Sequence, residues 1–111
     1  DGPADRIEPM LELLEQRRAQ VEELCGRYHV RTLEVFGSAA DGTFDAATSD
    51  LDFLVDFLPM APGPHSRAYF GLWFSLKDLF QRNVDLVETP AIRNPYFLKV
   101  VNRQRQLLYA A

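Results

Sequence analysis

Apolar residues recur at two different spacings along this chain, and the longer of the two predicts helices. From Ile7 to Tyr28 they fall every three or four positions, as on one face of an amphipathic helix. The same spacing predicts a second helix from Ser66 to Gln81. We assign the aromatic run of this helix to the core rather than to a base-stacking platform: Tyr69, Phe70, Trp73 and Phe74. A third helix is expected to begin at Asn94, because Asn followed by Pro is favoured at a helix start.

Three shorter segments have the two-residue period of strands: Thr32–Phe36, Leu51–Leu58 and Asn83–Val87. In the second segment one set of alternate positions is wholly apolar, whereas Asp52 and Asp56 alternate with leucines in the other. Residues 107 to 109 are interpreted only as a short terminal apolar piece. The order helix, strand, strand, helix, strand, helix predicts one α+β domain over residues 1–111, with a small mixed sheet and helices packed on one side.

The charge balance narrows the classes of function. The chain has 12 Lys and Arg against 16 Asp and Glu, a net charge of −4, which disfavours direct nucleic-acid binding. No apolar stretch approaches the ~20 residues that a membrane span needs, and no signal peptide is recognised. Cys25 is the single cysteine, so no intramolecular disulfide can form and a cytoplasmic location is expected.

Three aspartates fall where the predicted strands begin or run. Asp50 and Asp52 are two positions apart at the head of one strand, so both side chains leave the same face. Asp85 lies within the next predicted strand and joins them if the two strands are neighbours. Crowded carboxylates repel unless they share a proton or a cation, and Mg²⁺ prefers such oxygen ligands. Each aspartate taken singly could instead be a solvated edge residue.

Gly37 and Ser38 follow directly after the first predicted strand. Glycine allows the backbone to approach a phosphate closely, and a helical turn starting at Ser38 would direct free N–H groups at that phosphate. A Gly-Ser pair seen alone is also an ordinary turn.

Taken together, Gly37-Ser38, a spacer of residues 39–49, Asp50-Leu51-Asp52 and the later Asp85 resemble the signature of the DNA polymerase β-like nucleotidyltransferase superfamily. The small size resembles its minimal nucleotidyltransferase branch, whose members are often MntA-type antitoxins encoded beside a HEPN-domain toxin. The resemblance implies that Gly37 and Ser38 hold a nucleoside triphosphate, that Asp50 and Asp52 bind two Mg²⁺ ions, and that Asp85 completes the metal site. It further implies that a hydroxyl attacks the α-phosphorus and that pyrophosphate leaves.

Three hypotheses follow for the function. The first is an enzyme that moves AMP from ATP onto a hydroxyl, with a tyrosine of a HEPN-type toxin as the expected acceptor. The second is an antitoxin that neutralises its partner by binding alone, motivated by Asp41, which stands where the family often has arginine. Arg67, Lys77 or Arg82 could compensate for that missing base. The third is an oligomeric structural domain with incidental acids.

Overall fold

The computed structural model describes residues 13–36, 50–89 and 106–111. Two helices and four strands have defined bounds: α1 (Arg18–Arg27), β1 (Val30–Phe36), β2 (Leu51–Phe57), α2 (Pro62–Phe80), β3 (Val84–Glu88) and β4 (Gln106–Ala110). Residues 13–16 are also helical, so the predicted first helix is present over its described part. The helix predicted at Asn94 lies outside the described residues. No described helix is both long and apolar enough to cross a membrane.

The sheet is mixed and has the strand order β3-β2-β1-β4. β1 runs antiparallel to both β2 and β4, whereas β2 and β3 are parallel. Strand β4 was not predicted, because three apolar residues are too few to indicate a strand by period. This segment is extended because it pairs with β1, for example Tyr109 with Leu33. Helix α2 begins at Pro62, earlier than predicted, since prolines are tolerated in a first turn whose N–H groups lack helical partners.

Both helices cover the same face of the sheet, as the sequence predicted. Helix α1 contributes Val21 and Cys25 to this core, and α2 contributes Leu72 and Leu76 among others. All alternate apolar positions of β2 face them: Leu51, Phe53, Val55 and Phe57. The described residues contain no buried polar or charged side chain. The core is therefore held by apolar burial, at about 1.5–3 kcal/mol for each large side chain.

Helix α2 also covers the free edge of β3. The Tyr69 hydroxyl donates to the Leu86 carbonyl at 2.5 Å, and Trp73 Nε1 donates to the Val84 carbonyl at 2.7 Å. Carbonyl groups of an edge strand would otherwise be open to another strand. The assignment of the whole aromatic run to the core was wrong for two residues, since Phe70 and Phe74 remain 49% and 59% exposed. Helical spacing alone could not show that α2 would be buried along a narrower face.

Candidate active site

Asp52 and Asp85 are direct neighbours across the parallel pair of strands. The register aligns Asp52 of β2 with Asp85 of β3, and both side chains lie on the face opposite the helices. Asp52 is half-buried and Asp85 is exposed. Asp85 is close enough to influence the ionisation of Asp52. The sheet thus sets two of the three predicted carboxylates side by side.

The surroundings of Asp52 make ionisation difficult. Burial is the main cause that raises its pKa, and the charge of Asp85, the hydrogen bond with Asp85 and the charge of Asp50 add to it. Together they raise the pKa of Asp52 from 3.8 to about 6. Two carboxyl groups that hinder each other's ionisation are stabilised when they share a proton at low pH or a cation at neutral pH.

Asp50 stands at the edge of this arrangement. It is exposed, precedes β2 by one residue and acts on Asp52 through its charge. In the described part of the chain, no three His, Cys, Asp or Glu side chains are placed so that they could already enclose a metal ion. The described geometry therefore presents a formed pair, Asp52 and Asp85, with the third carboxylate nearby.

An apolar wall, formed by Phe36 and Leu54, explains why Asp52 is half-buried. Phe36 is paired with Asp52 across β1 and β2, and it is only 8% exposed. Phe36 packs with Leu54, and Val87 contacts this second small cluster. The sequence signal for the wall was present, because Phe36 ends the first strand directly before Gly37, but only the register shows that it faces Asp52.

The predicted phosphate-binding residues Gly37 and Ser38 lie outside the described residues, as does Asp41. The last described residue before them is Phe36, which is the partner of Asp52 in the sheet. The chain therefore enters this segment next to the aspartate pair.

The sequence did not predict a second cluster of polar side chains, which is formed by His65 and Glu88. His65 Nε2 contacts Glu88 Oε1 at the far end of β3, and both side chains line an open cleft of about 410 Å³ together with Tyr69. Neither Asp52 nor Asp85 lines this cleft. Isolated His and Glu residues far apart in sequence give no signal of such a contact, and the cleft is separate from the aspartate pair.

A mixed sheet with helices on one face and paired acids on the other defines the class of small α+β domains suited to metal-assisted phosphoryl chemistry. The family model described as "Nucleotidyltransferase domain" matches residues 17–108. The chain belongs to this nucleotidyltransferase family. The predicted enzyme class is thereby confirmed.

Relatives and solved structures agree with this membership. "Putative protein adenylyltransferase MJ0128" of Methanocaldococcus jannaschii is 36% identical over 83 residues, which cover 75% of this chain and 79% of the relative. A solved structure of a "putative minimal nucleotidyltransferase" is 34% identical, with a TM-score of 0.62 and coverage of 86% of this chain and 93% of that chain. These matches confirm the predicted minimal nucleotidyltransferase branch and its polymerase β-like fold.

A more distant likeness concerns a toxin–antitoxin complex. A chain in the structure of a tri-AMPylated Shewanella oneidensis HEPN toxin with MNT antitoxin has a TM-score of 0.61 and 17% identity. The match covers 87% of this chain and 72% of that chain. At this identity it shows a common fold.

Proposed function

We propose that this chain is a cytoplasmic, Mg²⁺-dependent nucleotidyltransferase that moves AMP from ATP onto a tyrosine hydroxyl of a HEPN-type toxin, and so acts as its antitoxin. The observation that carries the proposal is the register of β2 and β3, which sets Asp52 beside Asp85 on the face opposite the helices. The raised pKa of Asp52 supports it, since a bound cation would relieve the crowding of the acids.

The described residues fit Mg²⁺, because Asp52 and Asp85, aligned across β2 and β3, present the carboxylate oxygens that this ion prefers as ligands. Asp50, Asp52 and Asp85 would hold two ions. When bound, the metal would neutralise charge on the triphosphate and on the transferred phosphoryl group. In the proposed reaction a bond forms between the acceptor oxygen and the α-phosphorus, the bond from that phosphorus to the bridging oxygen breaks, and pyrophosphate leaves.

The chain's own residues have distinct tasks in this proposal. Asp85 is exposed at the pair and accepts the proton of the acceptor hydroxyl. The wall formed by Phe36 limits water at Asp52. Gly37 and Ser38 are assigned the triphosphate, on the strength of their spacing from Asp50 and Asp52.

The partner is proposed from the relatives. Related proteins are named protein adenylyltransferases, and a structure of the same fold contains an AMPylated HEPN toxin. The acceptor expected for this chain is therefore a protein hydroxyl.

Label transfer tests the proposal directly. The chain is incubated with Mg²⁺, ATP labelled at the α-phosphate and a HEPN-domain protein as the proposed acceptor. We expect label on the partner, and at least a hundredfold lower rate for Asp52→Asn. Asp56→Asn is the matched control, because Asp56 lies on the same strand and face and pairs with Arg31 instead. Absence of label with the wild-type chain, or equal rates for the two variants, would contradict the proposal.

Neutralisation by binding alone is the second candidate. It is favoured by Asp41, which places an acid where the family often has a base, and by the described carboxylates, which do not yet enclose a metal position. The double variant Asp50→Asn with Asp52→Asn separates the two candidates. If it still neutralises the toxin in a growth assay, binding suffices and transfer is not required.

A further inference from the structure

The outward face of α2 has an aromatic stripe, which we define as Arg67, Phe70, Phe74 and Lys77. Phe70 and Phe74 are 49% and 59% exposed, whereas Leu72 and Leu76 of the same helix are fully buried. The members of the stripe are three, four and three positions apart, which is the heptad spacing of one helix packed along another. The stripe therefore has the pattern of a helix-binding surface rather than of scattered exposed residues.

Each of the two exposed phenylalanine rings contacts a neighbouring aromatic ring of the same helix. Phe70 contacts the ring of Tyr69 edge-on at 5.2 Å, and Phe74 lies 4.9 Å from the ring of Trp73. Tyr69 and Trp73 in turn are hydrogen-bonded to backbone carbonyls of β3. Rings fixed in this way lose little conformational freedom on binding, which is a property of interface hot spots.

The stripe is also connected to the strand of the proposed active site. The carbonyls bound by Trp73 and Tyr69 belong to Val84 and Leu86, which are the two neighbours of Asp85. A partner on the stripe would be placed along the edge of the strand that carries this aspartate. The aspartates lie on the other face of the sheet, so a protein bound to the stripe would have to reach past this edge to present a hydroxyl to them.

We infer that the aromatic stripe binds an amphipathic helix of the acceptor protein, whose apolar positions pack on Phe70 and Phe74 and whose acidic residues meet Arg67 and Lys77. This inference rests on the proposed function, because the acceptor is the partner that has to reach Asp85. Within the described residues, neither Arg67 nor Lys77 forms an ion pair with an acid. Lys77 is held at 4.6 Å over the Trp73 ring.

The charges of the stripe argue against a second copy of this chain as the occupant. In an antiparallel pair of α2 helices, Arg67 of one copy would face Lys77 of the other. In a parallel pair, each base would face its own equivalent. Both arrangements bring like charges together. A partner helix that carries acidic residues on either side of its apolar positions would instead complement the two bases of the stripe.

The test compares two double variants of the full chain for binding to the same HEPN-domain protein that the label-transfer experiment uses. Phe70→Gln with Phe74→Gln should weaken binding at least about thirtyfold, as expected for hot-spot residues. Arg67→Glu with Lys77→Glu should weaken binding about tenfold, and this loss of affinity should be larger at low salt, where the charges are screened less. Leu107→Gln is the matched control, because Leu107 is 58% exposed on β4. Calorimetry measures binding, and thermal unfolding verifies that each variant is folded.

The outcomes separate this inference from the proposed function. If the wild-type chain labels the HEPN-domain protein and the phenylalanine variant binds it as tightly as wild type, the inference fails and the proposed function stands. If the wild-type chain neither binds nor labels that protein, both fail. If light scattering shows a wild-type dimer that the phenylalanine variant converts to a monomer, the occupant is a second copy and the inference is overturned.

Discussion

Replacing Asp52 by asparagine should stabilise the protein at neutral pH while it abolishes the proposed transfer. The pKa of Asp52 is raised from 3.8 to about 6, chiefly by burial and then by Asp85. One pKa unit corresponds to about 1.36 kcal/mol, so the rise of about 2.2 corresponds to about 3 kcal/mol. Salt screens the charges of the exposed Asp50 and Asp85, and we therefore expect a gain of about 1–2 kcal/mol at physiological ionic strength.

The direction of the pH dependence follows from the sign of this pKa change. A carboxyl group with a higher pKa in the folded chain disfavours folding when it is ionised. The penalty is absent below about pH 4, where both states are protonated, and complete above about pH 6. Asp52→Asn removes it, so the gain should be largest at pH 8 and should vanish towards pH 4.

Urea unfolding measured by the fluorescence of the single tryptophan, Trp73, gives the free energy of unfolding at each pH. Asp56→Asn is the control, since it removes one side of the exposed pair with Arg31 and should change stability by less than about 1 kcal/mol. Mg²⁺ should raise the melting temperature of the wild-type chain and leave that of Asp52→Asn unchanged. A variant no more stable than wild type at pH 8, or a gain equal at pH 8 and pH 4, would refute the reasoning.

Four further predictions are read by urea unfolding or by thiol labelling, and circular dichroism replaces fluorescence for the variant that lacks the single tryptophan. Gly71→Ala should cost about 1–3 kcal/mol, because a Cβ there would lie 2.4 Å from the Tyr28 ring; Gly26→Ala, with nothing within 4 Å, should instead stabilise by up to about 1 kcal/mol. Trp73→Phe removes the donor to the β3 backbone and should cost about 1 kcal/mol. Burial raises the pKa of Cys25 to about 12, so a disulfide reagent at pH 8 should label it only in urea; rapid labelling of the native chain would contradict this.

The sequence predicted the layers of this fold because β2 separates its side chains so completely. Leu51, Phe53 and Val55 alternate with acids and leucines, and only a strand puts the first set on one face. Leu54 shows the limit of this reasoning. Leu54 shares its face of the sheet with Asp52 and Asp56, the face opposite the helices. It is nevertheless only 1% exposed, because it packs with Phe36 on that face. Period alone predicts which side chains share a face but not what covers that face.

The candidate site was predictable as a set of residues and not as an arrangement. Spacing placed Asp50 and Asp52 on one face, and it suggested Asp85 as their companion. The contact depends on the parallel register of β2 and β3, which is fixed by α2 and the core between distant segments. The same tertiary contacts leave Phe70 and Phe74 exposed, although both belong to the broad apolar face that the sequence predicted for this helix. Roles for Gly37 and Ser38 stay predictions.

The apolar face of the sheet is what keeps the two aspartates together. A slip of β3 by one residue would part them, but it would turn Leu86 away from the core and Asp85 into it. Losing the burial of Leu86 alone forfeits about 1.5–3 kcal/mol, and an unpaired carboxylate in the core costs more again. This loss exceeds the cost of about 1–2 kcal/mol expected for ionising Asp52 in the folded chain, so a proton or a bound cation, rather than a shift of the strands, relieves the repulsion.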